Sequence, residues 1–148
     1  MDNREEIITR LRNYFNKNAS LYDLEMAFLY GSWARGIARD DSDIDLALLF
    51  SKEIAKMDES FSRITDISLS LGEALKKDVN IIQIRWDFDK PMLYYNAIVS
   101  GVPIYILEHT SYMRLRNEAI FQMEDFKIFG IDWYFEVAKR NLEAIRNA

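Results

Sequence analysis

Apolar residues recur along this chain with two alternating periods, one near 3.6 and one of 2. From Arg4 to Lys17, Ile7, Ile8, Leu11, Tyr14 and Phe15 fall at helical spacing, with Glu5 and Glu6 early and Lys17 late. That polarity suits the helix macrodipole and predicts an amphipathic helix over 4–17. Glu25 to Tyr30 follows as a short strand stopped by Gly31, and Gly31 to Ser42, rich in Gly, Arg and Asp, breaks into a helical turn and a loop. A second strand, Asp43 to Phe50, comes next. Phe61, Ile64, Ile67, Leu71 and Leu75 mark one face of a helix that Asp58 would cap, and Val79 to Ile84 is a β-branched run suited to a third strand. Pro91 opens a further helix, Gly101 stops it, and Pro103 to Leu107 makes a short edge strand. The last third is helical. Tyr112, Leu115, Ala119, Met123 and Phe126 form one stripe, Ile131, Tyr134, Phe135, Ala138, Leu142 and Ile145 a second, and Gly130 between them predicts a kink or break.

Strands alternating with helices imply a layered sheet-and-helix domain of the α+β class. The first two strands are joined by too few residues for a parallel crossover that carries a full helix, so they are expected to pair antiparallel and make the sheet mixed. A chain of 148 residues fits one domain over 1–148. Within it the pattern gives an N-terminal helix at 4–17, a core at 25–108 and a C-terminal helical segment at 111–147.

Charge narrows the function classes. Nineteen Lys and Arg against 24 Asp and Glu leave a net charge of −5, which argues against holding nucleic acid by broad phosphate neutralisation, so no stable nucleic-acid binding is expected. No stretch approaches the roughly 18 apolar residues of a membrane span, and the acidic start does not resemble a leader, so a cytoplasmic protein without a membrane partner is expected. The absence of cysteine removes both disulfides and thiolate metal sites.

Chemistry concentrates in GSWARGIARDDSDIDLALLF, Gly31 to Phe50, where Gly-Ser, ten residues and Asp-x-Asp follow one another. A glycine directly after a strand lets the backbone turn sharply and an anion approach, and Ser32 adds a hydroxyl and outward amides, which makes a phosphate cradle. Asp43 and Asp45, two apart on a strand, present carboxylates on one side, where hard oxygen ligands hold Mg²⁺ with triphosphate oxygens. In a two-ion site such carboxylates bridge ions about 3.5–4 Å apart. Arg35 and Arg39 lie in the intervening loop, placed to steady phosphates as charge develops. Gly-Ser alone is a turn and Asp-x-Asp alone a polar strand opening. Together, in an otherwise apolar strand, they demand a reason for the charges.

This segment resembles the signature of the DNA polymerase beta-like nucleotidyltransferases, and its form Gly-Ser-x-Ala-Arg-Gly-x-x-Arg-x-x-Ser-Asp-x-Asp-Leu is similar to the minimal nucleotidyltransferase (MNT) branch. The resemblance implies a polymerase beta-like fold, Mg²⁺ as two ions, ATP as substrate, Asp43 and Asp45 as catalytic metal ligands, and Gly31, Ser32, Arg35, Arg39 and Ser42 around the nucleotide. It further implies an antitoxin that pairs with a HEPN-domain ribonuclease toxin and silences it by adding AMP to a tyrosine. The family pattern also carries a third carboxylate in a strand of the form Val-Asp-hydrophobic-hydrophobic. Here Val79-Asn80-Ile81-Ile82 offers Asn80, while Asp78 lies two residues earlier on the same strand face. Asp78 as a shifted catalytic acid, a site with two acids only, and Asp78 as a mere helix-ending turn residue stand side by side.

Other residues carry less. His109 between Glu108 and Thr110 is expected at an exposed turn, and Trp86, Asp87 and Asp89 at a polar turn after a strand. Phe126, Phe129, Trp133, Tyr134 and Phe135 exceed what one helix face needs and favour a protein partner. Against the toxin-directed enzyme stand transfer to a small molecule of the aminoglycoside type and an antitoxin that acts by binding alone.

Overall fold

The computed structural model describes residues 3–56 and 59–147. In order along the chain, α1 (Asn3–Asn18) leads into β1 (Leu24–Tyr30), α2 (Gly31–Arg35), β2 (Ile44–Phe50), α3 (Lys52–Lys56) and α4 (Ser60–Leu75). Then come β3 (Val79–Gln83), α5 (Pro91–Ile98), β4 (Val102–Ile106), α6 (His109–Asp125) and α7 (Ile131–Arg146). The four strands form one sheet in the order β3-β2-β1-β4. β1 pairs antiparallel with β2 and β4, and β2 pairs parallel with β3, so the sheet is mixed. The parallel pair is the one whose connection contains a full helix, α4, as the crossover length demands.

Strand alternation divides the core in two. Ile44, Leu46, Leu48 and Phe50 of β2 face a cluster built with Ile7, Leu11 and Phe15 of α1 and Ile67, Leu71 and Leu75 of α4. Ala47 and Leu49 face the opposite cluster, with Tyr94 and Ile98 of α5 and Leu115 and Ala119 of α6. β2 is therefore apolar on both faces because both are covered, and the two aspartates at its start are the exception that needs a function. Gly101 turns α5 into β4 where a Cβ would strike the carbonyls of Ala97 and Leu29, so no larger residue fits.

Tyr94 is the largest polar side chain sealed in this core. Its hydroxyl meets Asp89, the Gln83 carbonyl and the Arg85 amide. Burial first, then the bond to Asp89, push its phenol well above the ordinary 10.0. As pH rises past that ordinary value the unfolded chain loses the tyrosine proton while the folded chain keeps it, so stability is present below about pH 10 and falls above it. Denaturant unfolding of Tyr94→Phe should show a shallower alkaline fall than the parent; equal slopes would remove Tyr94 from that behaviour.

Three details differ from expectation. β2 begins at Ile44, leaving Asp43 just ahead of the strand. Phe61 is 77% exposed because Ser60 turns inward at the first turn of α4 and donates to Gln83 Oε1 at 2.8 Å, leaving Phe61 at the margin of the apolar stripe. The short helix α3 has no periodic signal in the sequence. At Gly130, where a kink or break is expected, residues Phe126–Gly130 form a π-helical turn between α6 and α7, and Gly130 lies against the Phe126 ring, where a Cβ would come within 3.2 Å. The expected Asp58 cap and the Ile131 and Tyr134 side chains lie outside the described residues. Of the two C-terminal stripes, Leu115 and Ala119 reach the core, whereas Phe135, Leu142 and Ile145 are exposed. No helix among the described residues is long and apolar enough to cross a membrane.

Candidate active site

The carboxylates gather where β1 ends and β2 begins. β1 delivers Tyr30 opposite Asp45 in the antiparallel register, and β3 delivers Asn80 beside Asp45 in the parallel one. Between them Gly31 takes φ +76, and a Cβ there would collide with the Asp45 carboxylate, whose Cγ would lie at 3.3 Å. Glycine is thus required twice, by backbone conformation and by the carboxylate packed on it. Asp45 is half-buried and Asp43 exposed. Asn80 ties them together, its Nδ2 donating to Asp43 Oδ2 at 3.2 Å and to Asp45 Oδ1 at 3.4 Å.

The loop before β2 is held by its own polar groups. The buried Trp33 indole donates to the Ser42 carbonyl at 3.0 Å, and the Ser42 hydroxyl accepts the Arg39 amide at 2.9 Å. Gly36, in the left-handed region, closes α2, and the Ile37 amide donates to the Ser32 carbonyl at 3.1 Å. Lys77 lies 5.2 Å over the Trp33 ring and donates to the Asp40 carbonyl, which anchors the loop to the end of α4. Ser42 therefore fixes the loop that aims Asp43, a task its place in the motif does not reveal.

Two open clefts adjoin the acids. One, of about 270 Å³, is lined by Tyr30, Gly31, Arg35, Asn96 and Ser100; the other, of about 740 Å³, by Asp40, Asp43, Lys76, Lys77, Asp78 and Asn80 among others. Arg35 thus shares a cleft with Gly31, while Arg39 is an exposed loop residue. Burial first, then the charge of Asp45, raise the Tyr30 phenol above its ordinary range and keep it protonated. Sequence reasoning misses Tyr30, although its place directly before Gly31, at the end of the strand, is a usable signal.

Asp78 takes a different position from Asn80. Its carbonyl accepts the Ile44 amide at 2.9 Å at the mouth of the β2–β3 pair, and its side chain lines the larger cleft. The register that puts Asn80 beside Asp45 brings Asp78 level with Asp43, ahead of the paired residues, and the hydrogen bonds to the two carboxylates come from the Asn80 amide. Among the described residues no three acidic or histidine side chains group as a metal site. The two carboxylates, one of them packed on the Gly31 backbone, and the serine next to that glycine nonetheless fit a hard cation that brings further oxygens with its ligand. His109 is exposed, and Asp87 and Asp89 pair with Arg85 at 3.0 and 3.8 Å beyond the opposite end of β3, consistent with a polar turn.

Residues 9–110 match the family described as Polymerase beta, Nucleotidyltransferase. The chain belongs to this nucleotidyltransferase family. The match spans β1 to β4 with the Gly31 turn and both aspartates, and it makes the chain a nucleotidyltransferase. Solved structures share the fold. A toxin-antitoxin complex with AMP-PNP superposes with a TM-score of 0.64 at 17% identity, over 86% of this chain and 98% of that one. A tri-AMPylated Shewanella oneidensis HEPN toxin in complex with MNT antitoxin gives 0.60 at 15% identity, over 88% and 98%. A mutant form of the toxin-antitoxin MntA-HpeT gives 0.61 at 20% identity, over 90% and 97%. No curated protein matches the sequence significantly.

Proposed function

We propose that this nucleotidyltransferase moves AMP from ATP to a hydroxyl of a protein, a tyrosine of a HEPN-type toxin, and so serves as its antitoxin. The observation that carries the reading is the convergence of Asp43, Asp45 and Gly31 at one strand end within a nucleotidyltransferase family match. The choice of AMP and of a toxin as acceptor is supported by the toxin-antitoxin neighbours, one with AMP-PNP and one with a tri-AMPylated toxin. In this reading Asp43 and Asp45 hold Mg²⁺, which would neutralise the triphosphate and its departing pyrophosphate. Gly31 leaves room for the Asp45 carboxylate to pack against the turn, Ser32 offers its hydroxyl to a phosphate, and Arg35 lines the smaller cleft beside Gly31. The acceptor oxygen forms a bond to the α-phosphorus as the bond to pyrophosphate breaks, and the hydroxyl proton passes to solvent.

Mixing the chain with a HEPN toxin, Mg²⁺ and ATP should add about 329 Da per AMP to the toxin, the mass of the transferred group in such phosphoryl chemistry. Intact-mass spectrometry reads this directly. A stable complex with no added mass would favour the second reading, an antitoxin that acts by contact alone, for which the amide of Asn80 in the acid cluster is the specific support.

A further inference from the structure

The site contains an amide where its geometry has room for a third carboxylate. Asn80 is exposed and paired with Asp45 across the parallel β2–β3 ladder, and its single nitrogen lies within 3.4 Å of both carboxylates. No third acid groups with Asp43 and Asp45 as a metal site among the described residues, and the cleft beyond Asn80 sets Lys76 and Lys77 among the more distant acids Asp40, Asp41, Glu73 and Asp78.

We infer that Asn80 positions the two aspartates and restricts the site to one divalent ion bound with the nucleotide, in place of the pair of ions the motif suggests. Two carboxylates and the triphosphate oxygens supply the hard, anionic ligands that one such ion requires. A second ion, about 3.5–4 Å away in sites of the paired kind, must overcome the repulsion of the first, and does so only where more anionic oxygens surround it. Asn80 brings a neutral dipole to that position. Its N–H groups moreover turn their positive ends toward Asp43 and Asp45, drawing on the same lone pairs a second cation would use. An aspartate at 80 has the same shape, sits on the same strand face and reverses both effects.

The inference rests on the nucleotide-site reading above, and one experiment separates the two. Mn²⁺ is titrated into the whole chain with α,β-methylene-ATP, and bound ions are counted by electron paramagnetic resonance, with the analogue alone as control. The wild-type complex should hold one Mn²⁺ with the spectrum of an isolated ion. Asn80→Asp should take up a second at least tenfold more tightly than the wild type does, with the dipolar broadening of a close pair. A coupled pair in the wild type overturns the inference, as does a single ion in folded Asn80→Asp. If that variant does not fold, the wild-type count decides alone. If the wild type fails to bind the Mn²⁺-analogue at all, the nucleotide-site reading falls and this inference with it.

Discussion

The double substitution Asp43→Asn, Asp45→Asn should reduce AMP transfer by about a thousandfold or more, the scale that follows from losing several kcal/mol of charge stabilisation at a transferring phosphoryl group. The fold should survive. Asp43 is exposed and lies ahead of β2, Asp45 is half-buried, and asparagine keeps the shape of each. Mg-ATP binding should weaken as well, since in the proposed function the carboxylates hold the ion and through it the triphosphate. Calorimetry on the folded variant makes the check: binding as tight as wild type would mean that the nucleotide site lies elsewhere.

Gly31→Ala should have the next largest effect, and for a different reason. A left-handed backbone at a non-glycine residue costs roughly 1–2 kcal/mol. The larger consequence is steric, since the new methyl group occupies the place of the Asp45 carboxylate and must drive it aside. A misplacement of about 1 Å at a reacting centre can lower turnover by about a hundredfold. The variant should therefore lose activity well beyond its loss of stability, with transfer rates and denaturant unfolding measured on the same preparation. Wild-type turnover in Gly31→Ala would show that the position of Asp45 is not critical.

What the sequence discloses follows the range of each interaction. Gly31, Ser32, Asp43 and Asp45 can be grouped because a strand end, a tight turn and a two-residue alternation are local rules, and the antiparallel β1–β2 pair follows from the length of the connection. Asn80 can be named from its motif position, but its contact with both carboxylates depends on the β2–β3 register, set by the packing of α4 across the sheet. Ser42 is named by its motif as a residue of the nucleotide site, and the structure adds a task the motif does not reveal, clamping the loop, because its partner, the buried Trp33, takes an orientation no spacing reveals. Phe61 falls outside the core because it stands at the margin of its helical stripe, next to a serine with a hydrogen-bond partner waiting inside. Gly130 reads as a kink or break, and the structure gives the irregularity its form: the helix absorbs an extra residue by widening one turn, and a glycine flat against an aromatic ring suits that widening.

The placement of β2 between an antiparallel and a parallel neighbour also sets how the site moves. Asp45 belongs to a strand bonded along both edges, whose later residues are roofed on both faces, so its backbone amide should exchange slowly with deuterated solvent. The loop from Gly36 to Asp41 is mostly exposed, and although the Ile37 and Arg39 amides are hydrogen-bonded, its amides should exchange sooner than those of β2. One carboxylate is thereby anchored in a strand paired on both edges, and its companion, Asp43, lies just ahead of it. Any adjustment of the pair to an arriving ion must therefore come chiefly from the Asp43 side, against the hold of Asn80.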